Sequence, residues 1–349
     1  MKNLTVQTGR SYQIFLSRGL LNNCGAYIKN AAGNAQKAMV ISDSNVFPLY
    51  GRQVAASLKE SGFETYTHVF QAGEQSKRLT CVEKMYSTLA EHYFSRSDLI
   101  VALGGGVAGD MAGFAAATYQ RGIRFVQIPT SLLAQVDSSV GGKTGVDIAQ
   151  GKNLVGAFWQ PSLVLIDPQT LDTLPEKFFC DGMAEVIKYG CIKSLSLFEQ
   201  LENEPIERIL DDVIFSCVNI KRKVVENDEQ EAGERMLLNF GHTLGHSLER
   251  VYSYQGITHG QAVAVGMALL TGASERAGLT KAGTQKRLCA LLQKYKLPVS
   301  DPADLQSIVN GALTDKKSNG NAIFIVLLSE IGKSFTKKIK KENLYAFCK

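Results

Sequence analysis

The first half of the chain alternates short apolar runs with amphipathic helical stretches, and this pattern restricts its fold more than any other feature. Buried strands are predicted at residues 37–43, 64–70, 98–103, 123–129 and 162–167, with helices between them that include residues 50–60 and 81–92. Strands that alternate with helices form a parallel sheet whose faces the helices cover. This half therefore predicts a Rossmann-like α/β domain.

The second half of the chain changes character from about residue 175. Apolar residues recur at helical spacing in residues 176–192, 195–201, 206–226, 234–252, 261–277 and 283–295, and only residues 322–328 resemble a late strand. We therefore predict an N-terminal α/β domain at residues 1–174 and a mostly α-helical C-terminal domain at residues 175–349.

Composition excludes several classes of protein. The 349 residues are 45% apolar and 20% charged, which is typical of a globular chain, and the net charge of +5 is too small to indicate nucleic-acid binding. The longest apolar run, residues 262–273, is far shorter than the roughly 20 residues of a membrane helix. No signal peptide is expected, and seven scattered cysteines without a CxxC pair favour the reducing cytoplasm.

A glycine-rich loop follows the third predicted strand. Gly104, Gly106 and Gly109 satisfy the GxGxxG pattern, and residues 110–119 are predicted to form a helix. Glycines let backbone amides approach a phosphate, whose charge the N-terminus of a helix also favours. The loop therefore predicts a nucleotide phosphate site; the alternative is a tight strand–helix turn.

The ribose contact of such a site is less regular. An acidic residue is usual about 20 residues after the glycines, but residues 123–129 contain none. Asp43 ends an earlier predicted strand and is the candidate for this contact. A turn or helix cap is the other interpretation of Asp43.

Three of the five histidines lie within 18 residues of one another, which favours a metal site. His242 and His246 are four residues apart and share a helix face, whereas His259 lies in a predicted turn before the next helix. Catalytic zinc sites often combine two histidines with one glutamate and leave a position open. Glu185 is the candidate carboxylate because it interrupts an apolar helix face, and a Glu185–Lys188 ion pair is the alternative.

Basic and amide side chains near these motifs predict an anion-binding pocket. Lys143 and Lys152 are predicted to lie in glycine-flanked loops, and Lys221, Arg235 and Asn239 on the helices that precede the histidines. At four-residue spacing, Arg235 and Asn239 are predicted to share a helix face. A guanidinium there would bind a carboxylate or phosphate, whereas solvated surface charge is the alternative interpretation.

Seven segments of the chain together resemble the 3-dehydroquinate synthase family. They are GEQSK at 73–77, GGGVAGD at 104–110, PTSLLAQVDSSVGGKTGVD at 129–147, GKNLVGAFWQP at 151–161, GMAEVIKYG at 182–190, LNFGHTLGHSLE at 238–249 and THGQAVAVGM at 258–267. The resemblance implies a homodimeric, cytoplasmic enzyme of the shikimate pathway, hence of aromatic amino-acid biosynthesis. It would convert 3-deoxy-D-arabino-heptulosonate 7-phosphate into 3-dehydroquinate and phosphate by transient NAD oxidation, phosphate elimination, re-reduction and intramolecular aldol closure.

The resemblance also implies the site residues. The metal, zinc or cobalt, would be bound by Glu185, His242 and His259. Nucleotide contacts would be Asp43, Gly73, Glu74, Lys77, Gly106, Val107, Ala108, Gly109, Asp110, Thr130, Ser131, Lys143, Lys152, Thr170, Leu171, Asp172 and Thr173. Substrate contacts would be Asp137, Lys143, Asn153, Lys188, Lys221, Arg235, Asn239, His246 and His259. Arg121 resembles the residue that reaches the phosphate site of the partner subunit, and Lys316 or Lys317 is the expected late lysine.

Three other functions fit part of the sequence. Another sugar phosphate cyclase, such as 2-deoxy-scyllo-inosose synthase, would share the fold, NAD and metal, but its substrate lacks a carboxylate for Arg235. An iron-dependent alcohol or glycerol dehydrogenase would act on a neutral alcohol, which the pocket lysines disfavour. A non-catalytic nucleotide-binding protein is disfavoured because all three candidate metal ligands are present.

Overall fold

The computed structural model describes residues 1–313 and 321–349, which divide into two compact units. The sheet unit comprises Met1–Pro175 and Lys221–Gln230, and the helical unit comprises Glu176–Ile220 and Glu231–Lys349. The segment after Ile220 belongs to the sheet unit because it is held there by ion pairs and hydrogen bonds. Among these, the Lys221 ammonium pairs with Asp137, and Glu229 accepts a hydrogen bond from the Gly9 amide at 3.1 Å.

The sheet unit is built on a mostly parallel sheet, as predicted. Its strands are β1 (Lys2–Val6), β2 (Tyr12–Leu16), β3 (Lys37–Asp43), β4 (Glu64–Phe70), β5 (Leu99–Gly104), β6 (Arg124–Pro129), β7 (Lys143–Ile148), β8 (Gly151–Phe158) and β9 (Leu163–Ile166). Within the described residues, seven of them form one sheet in the order β1-β2-β9-β6-β5-β3-β4. Only the β1–β2 pair of this sheet is antiparallel, and β7 and β8 form a separate antiparallel hairpin.

Helices cover the sheet on both faces. They are α1 (Cys24–Ala31), α2 (Arg52–Glu60), α3 (Leu79–Glu91) and α4 (Gly106–Thr118). Successive side chains of a strand point to opposite faces, so β3 places Ala38 and Val40 in one apolar core and Met39 and Ile41 in the other. A central parallel strand is therefore apolar at consecutive positions, which explains why such strands were predictable.

The predicted strand at residues 64–70 forms β4, but the prediction that it is buried is wrong. β4 is the last strand of its sheet, and of its residues only Phe70 is buried. Val69 is 44% exposed because an edge strand lacks a neighbour on one side.

The order of the strands creates a topological switch point at the centre of the sheet. From β3 the chain moves outward to β4, whereas from β5 it moves in the opposite direction to β6 and β9. Ligands of open α/β sheets bind in the crevice outside the carboxyl ends of strands at such a point. Asp43 ends β3 and Gly104 ends β5, so the two residues flank this crevice.

The helical unit contains helices and one β-hairpin. Its elements are α5 (Glu176–Lys193), α6 (Leu195–Asn203), α7 (Ile206–Asn227), α8 (His242–Val251), α9 (His259–Arg276), α10 (Thr284–Lys294), α11 (Leu305–Leu313), β10 (Ala322–Glu330), β11 (Lys333–Lys340) and α12 (Leu344–Cys348). The last turns of α7, from Lys221 onward, are the part that belongs to the sheet unit. No helix in the described part of the chain has the length and apolar character to cross a membrane.

Two predictions for the second half are wrong. A single helix at residues 234–252 is not formed: Glu234–Asn239 is a 3₁₀ turn, and α8 begins only at His242. The break follows from Gly241, whose φ of 80° is left-handed and interrupts an α-helix. The second strand of the hairpin, β11, was missed because the lysines of KSFTKKIK obscure its alternation.

Candidate metal centre and nucleotide site

His242 and His259 are each the first residue of a helix. A capping box fixes the start of α9: the Thr258 hydroxyl accepts a hydrogen bond from the Gln261 amide at 3.4 Å, and the Gln261 side chain accepts one from the Thr258 amide at 3.0 Å. The sequence THGQ therefore places His259 in the first turn of α9. Gly241 is the N-cap of α8 and sets the position of His242 in the same way.

Glycines bring the starts of the two helices close together. A Cβ on Gly266 would lie 2.1 Å from the carbonyl oxygen of Gly241, and a Cβ on Gly241 would lie 2.7 Å from the carbonyl oxygen of Val263. No larger side chain fits at either position, so the backbones of α8 and α9 pack in direct contact. This packing places the imidazole rings of His242 and His259 with their centroids 5.2 Å apart.

Glu185, on α5, lies between the two rings. It is 0% exposed, and its Oε1 lies 3.3 Å from Nε2 of His242 and 3.6 Å from Nε2 of His259. Its other oxygen, Oε2, pairs with the ammonium of Lys188 one turn later. The Glu185–Lys188 ion pair is therefore present, and because the other oxygen faces the histidines, the metal-ligand role stays a prediction that this geometry permits.

The second ring nitrogen of each histidine faces an acceptor. Nδ1 of His242 lies 3.1 Å from the carbonyl oxygen of Phe240, and Nδ1 of His259 lies 3.4 Å from Oε2 of Glu249. A carbonyl or carboxylate oxygen can only accept, so each Nδ1 carries the proton. In a neutral ring the lone pair is then on Nε2, the nitrogen that faces Glu185.

Charge states in the cluster follow from these contacts. Burial alone raises the pKa of Glu185, but the Lys188 ammonium and His242 outweigh it and hold the pKa well below its usual range. Burial lowers the pKa of His242. For His259 burial also acts downward, but Glu185 and Glu249 outweigh it and raise the pKa to about 10. At neutral pH, Glu185 is an anion, His242 is neutral and His259 carries a proton.

The donor set fits a divalent metal such as zinc. One atom from each of Glu185, His242 and His259 lies within 4.8 Å of the others. Oε1 of Glu185 is buried, and no group in the described part of the chain donates a hydrogen bond to it. A carboxylate oxygen that faces two imidazole Nε2 atoms is the arrangement that a bound cation completes. His246, Glu249 and His259 form a second group that meets the same distance criterion.

Arg235 and Asn239 lie near the start of α8, in the 3₁₀ turn Glu234–Asn239. The prediction that they share a helix face is wrong, because residues three apart, not four, align in a 3₁₀ helix. Arg235 is fully buried, and the side-chain amide of Asn239 donates to Oε1 of Glu231 at 3.1 Å. Glu231, with a φ of 62°, was not selected from the sequence.

The glycine loop of the sheet unit forms the first turn of a helix. The helix predicted at residues 110–119 begins earlier, since α4 starts at Gly106 with Gly105 as its N-cap. Gly104 has a φ of 155°, and a Cβ there would lie 2.7 Å from Cβ of Ala108. The Thr130 amide donates to the Gly104 carbonyl at 3.0 Å, which places the end of β6 beside the loop. The N-cap Gly105 has no side-chain cap, so no capping side chain competes with a phosphate for the first amides of α4.

The position of Asp43 is compatible with both roles proposed from the sequence, a ribose contact and a turn or helix cap. Its Oδ1 accepts hydrogen bonds from the amides of Asn45 and Val46 at 2.8 and 3.0 Å, as in a turn or cap. Its Oδ2 faces the glycine loop, 3.3 Å from where a Gly104 side chain would begin. One carboxylate oxygen thus stabilises the turn while the other points to the switch point.

Lys77 lies at the centre of a hydrogen-bonded network in the sheet unit. Its ammonium donates to Oδ2 of Asp110 on α4 at 2.5 Å and to Oδ1 of Asn153 on β8 at 2.6 Å. The Asn153 amide donates to Asp147 at 2.7 Å, and the Asp147 amide donates to the Lys77 carbonyl at 2.8 Å. Burial alone lowers the pKa of Lys77, but the carboxylates of Asp110 and Glu74 outweigh it and raise the pKa.

The prediction that Lys143 and Lys152 lie in loops is wrong. Lys143 begins β7 and Lys152 lies in β8, because residues 143–158 form a hairpin whose glycine-rich sequence hides its alternation. The Lys152 ammonium lies 3.4 Å from Oε1 of Glu74. Lys221 pairs with Asp137 through both its carboxylate and its carbonyl oxygen.

Three further predicted residues have different surroundings. Thr170 is buried, and its hydroxyl accepts a hydrogen bond from Gln135 at 3.0 Å, whereas Thr173 contacts the Tyr50 hydroxyl at 2.6 Å. Arg121 is exposed and has a left-handed φ of 66°. Lys316 and Lys317 lie outside the described residues.

Comparison with known proteins covers nearly the whole chain. Family models match residues 67–181, as the 3-dehydroquinate synthase N-terminal domain, and residues 182–318, as the C-terminal domain. The chain is 48% identical to the 3-dehydroquinate synthase of Clostridium acetobutylicum over 99% of both chains, and 43% identical to that of Streptococcus sanguinis over 97% of both. The chain belongs to the 3-dehydroquinate synthase family. The resemblance noted in the sequence is confirmed.

Solved structures show how widely this fold is shared. A 2-deoxy-scyllo-inosose synthase complexed with carbaglucose-6-phosphate, NAD⁺ and Co²⁺ is similar at a TM-score of 0.88 and 26% identity, over 99% of both chains. A 2-epi-5-epi-valiolone synthase from Streptomyces hygroscopicus with NAD⁺ and Zn²⁺ bound gives 0.86 and 27%, over 99% and 97% of the chains. A Schizosaccharomyces pombe glycerol dehydrogenase, at 0.64 and 17% over 96% and 87%, is similar in fold alone.

Proposed function

We propose that the chain catalyses the conversion of 3-deoxy-D-arabino-heptulosonate 7-phosphate into 3-dehydroquinate and phosphate, the reaction of a carbon–oxygen lyase. One observation carries the proposal: an identity of 48% over 99% of the chain to a curated 3-dehydroquinate synthase. This identity exceeds the 26% to a 2-deoxy-scyllo-inosose synthase, although the fold is nearly the same. Fold alone does not decide the substrate, so the sequence carries the argument.

Glu185, His242 and His259 would hold the divalent metal. One carboxylate and two imidazoles leave coordination positions open for substrate oxygens, as in catalytic zinc sites. When bound, the metal supplies a Lewis acid that polarises a substrate oxygen. The Co²⁺ and Zn²⁺ in related structures support this assignment, as does the buried Oε1 of Glu185.

The crevice at the switch point would hold NAD, which supplies a hydride acceptor when bound. The start of α4 would bind the phosphates through its backbone amides, and Oδ2 of Asp43 would accept a hydrogen bond from the ribose. The positions of both groups at the carboxyl ends of β3 and β5 support this role. The NAD⁺ in related structures is consistent with it.

The charged side chains of the predicted substrate set would bind the two anionic groups of the substrate. Arg235 is buried, and a buried guanidinium binds a carboxylate or phosphate with two parallel hydrogen bonds. Lys188 and Lys221 are also buried, and their ion pairs with Glu185 and Asp137 fix both ammonium groups before the substrate arrives. His246 would orient the substrate beside the metal ligands, since its ring centroid is 5.3 Å from that of His242.

The family resemblance further supports a cytoplasmic homodimer, which we include in the proposal. Arg121 would extend to the phosphate site of the partner subunit. Arg121 is exposed, as this role requires.

Substrate choice tests the proposal. Protein loaded with zinc and NAD is supplied either with the heptulosonate phosphate or with glucose 6-phosphate, which lacks a carboxylate, and phosphate release is measured. We expect release from the first substrate only, and Arg235→Ala should lower kcat/KM for it by about 10- to 100-fold while NAD affinity is unchanged. Release from glucose 6-phosphate alone would favour the second candidate, a cyclase like the structurally similar 2-deoxy-scyllo-inosose synthase.

A further inference from the structure

The two histidines of the metal cluster are oriented by different kinds of group. His242 has a backbone acceptor, the carbonyl oxygen of Phe240 two residues earlier, at 3.1 Å from its Nδ1. His259 begins α9, and its Nδ1 faces a side chain, Oε2 of Glu249, at 3.4 Å. The side chain of His259 is 30% exposed, against 12% for His242, so the ring of His259 is packed less tightly.

Glu249 is placed for this contact by the periodicity of α8. It follows His242 by seven residues and His246 by three, so all three side chains lie on one helix face. Only 4% of Glu249 is exposed. A buried carboxylate destabilises a fold unless polar groups compensate it, and the Nδ1–H of His259 is one such group.

We propose that Glu249 is a positioning residue for the metal-binding imidazole of His259. Its carboxylate accepts the Nδ1–H, fixes the tautomer and holds the ring so that the Nε2 lone pair faces Glu185. Outer carboxylates of this kind raise the basicity of histidine ligands and their affinity for metal. The inference rests on the proposed metal set and adds to it a residue that does not itself touch the metal.

A second metal ion is the competing explanation, because His246, Glu249 and His259 also lie close enough to bind one. The chemistry of the ring favours the positioning role. A neutral imidazole has one lone pair and one N–H. If Nε2 of His259 binds the metal beside Glu185, Nδ1 keeps its proton and Glu249 can only accept it.

Metal binding without substrate tests the proposal independently of the reaction. The zinc dissociation constant of each variant is measured by competition with a chromophoric chelator, and the visible spectrum of the Co²⁺-loaded protein is recorded. We expect Glu249→Ala to raise the dissociation constant by about 10- to 100-fold and to change the Co²⁺ spectrum, at an unchanged stoichiometry of one ion. Glu249→Gln, which keeps an acceptor and the side-chain volume, should raise it less.

The matched control is Glu275→Gln. Glu275 is on α9, and its carboxylate accepts hydrogen bonds from the backbone amides of Gly283 and Gln285, so its loss affects the fold and not the metal cluster. The proposal would be overturned if both Glu249 variants had the same zinc affinity and the same Co²⁺ spectrum as this control. It would equally be overturned if the unchanged protein bound two ions and both Glu249→Gln and His246→Ala bound one.

Discussion

The two units each bury a cluster of charged side chains, but the clusters differ in how their groups are satisfied. In the sheet unit, Lys77 donates to Asp110 and Asn153 at 2.5 and 2.6 Å, so its charge is matched within the protein. In the helical unit, Oε1 of Glu185 faces two imidazole nitrogens and receives no hydrogen bond from the described residues. The charges of the first cluster are matched as folded, whereas the second leaves one buried carboxylate oxygen without a hydrogen-bond donor among the described residues.

This difference indicates that the cluster in the sheet unit mainly stabilises the fold, whereas the cluster in the helical unit is suited to bind a ligand. A closed network of buried charges fixes the geometry of the segments that it joins, here the start of α4 and the β7–β8 hairpin. An open set of donors retains affinity for a ligand at the cost of unsatisfied groups. The two clusters should therefore respond to substitution with different measurable losses.

Removal of a ligand from the helical cluster should have the largest effect. We expect His242→Ala to weaken zinc binding by more than about 100-fold, which is more than the effect expected for Glu249→Ala. Activity should fall to background. Zinc content after dialysis measures this loss, and His92→Ala is the control because His92 lies in the sheet unit. A His242→Ala protein that keeps its full zinc content would refute the ligand assignment.

Disruption of the sheet cluster should reduce stability and leave metal binding intact. Lys77→Met leaves the partly buried Asp110 carboxylate, with its side chain 21% exposed, without its cation, which should lower the free energy of unfolding by about 3 kcal/mol, the lower end of the range for buried pairs. Urea denaturation measures it. The exposed pair Lys296–Glu176, with side chains 69% and 71% exposed, provides the control Lys296→Met, for which less than about 1 kcal/mol is expected. Equal losses in the two variants would contradict the comparison.

Zinc binding to the cluster in the helical unit should release a proton, which is the smallest of the expected effects. The pKa of His259 is raised to about 10, so the metal-free ring is protonated at pH 7.5 and must lose its proton to bind zinc. Zinc affinity should therefore increase as the pH rises toward 10, by about tenfold per unit. Calorimetry in two buffers of different ionisation enthalpy should show about one proton released per zinc; no release would contradict the assigned charge state.

The sequence predicted what depends on local patterns. Central strands such as β3 and β5 are buried on both faces and form continuous apolar runs, so their bounds were nearly correct. Asp43 was selected because it ends such a run, but only the strand order shows that β3 and β5 are neighbours. The exposed hairpin β7–β8 and the lysine-rich β11 lack these patterns and were missed.

The site was less predictable because its geometry depends on packing between helices. Periodicity placed His242 and His246 on one face, and Glu249, three residues after His246 on the same face, was a signal that went unused. The contact of Glu185 with His259 joins positions far apart in the chain and requires the close approach of α5 and α9, where a Cβ on Gly260 would lie 2.2 Å from the carbonyl oxygen of Asp181. The shared face predicted for Arg235 and Asn239 failed because both lie in a 3₁₀ turn, which the left-handed Gly241 separates from α8.

The central claim is that the chain uses NAD catalytically, together with a bound metal, to release phosphate. The most direct test supplies the zinc-loaded protein with heptulosonate phosphate and one tenth as much NAD, and records phosphate and the absorbance of NADH together, with and without chelator. We predict that phosphate release reaches the amount of substrate, that no NADH accumulates and that chelator stops the reaction. Accumulation of NADH in step with substrate consumption, or no phosphate release with metal and NAD present, would contradict the account.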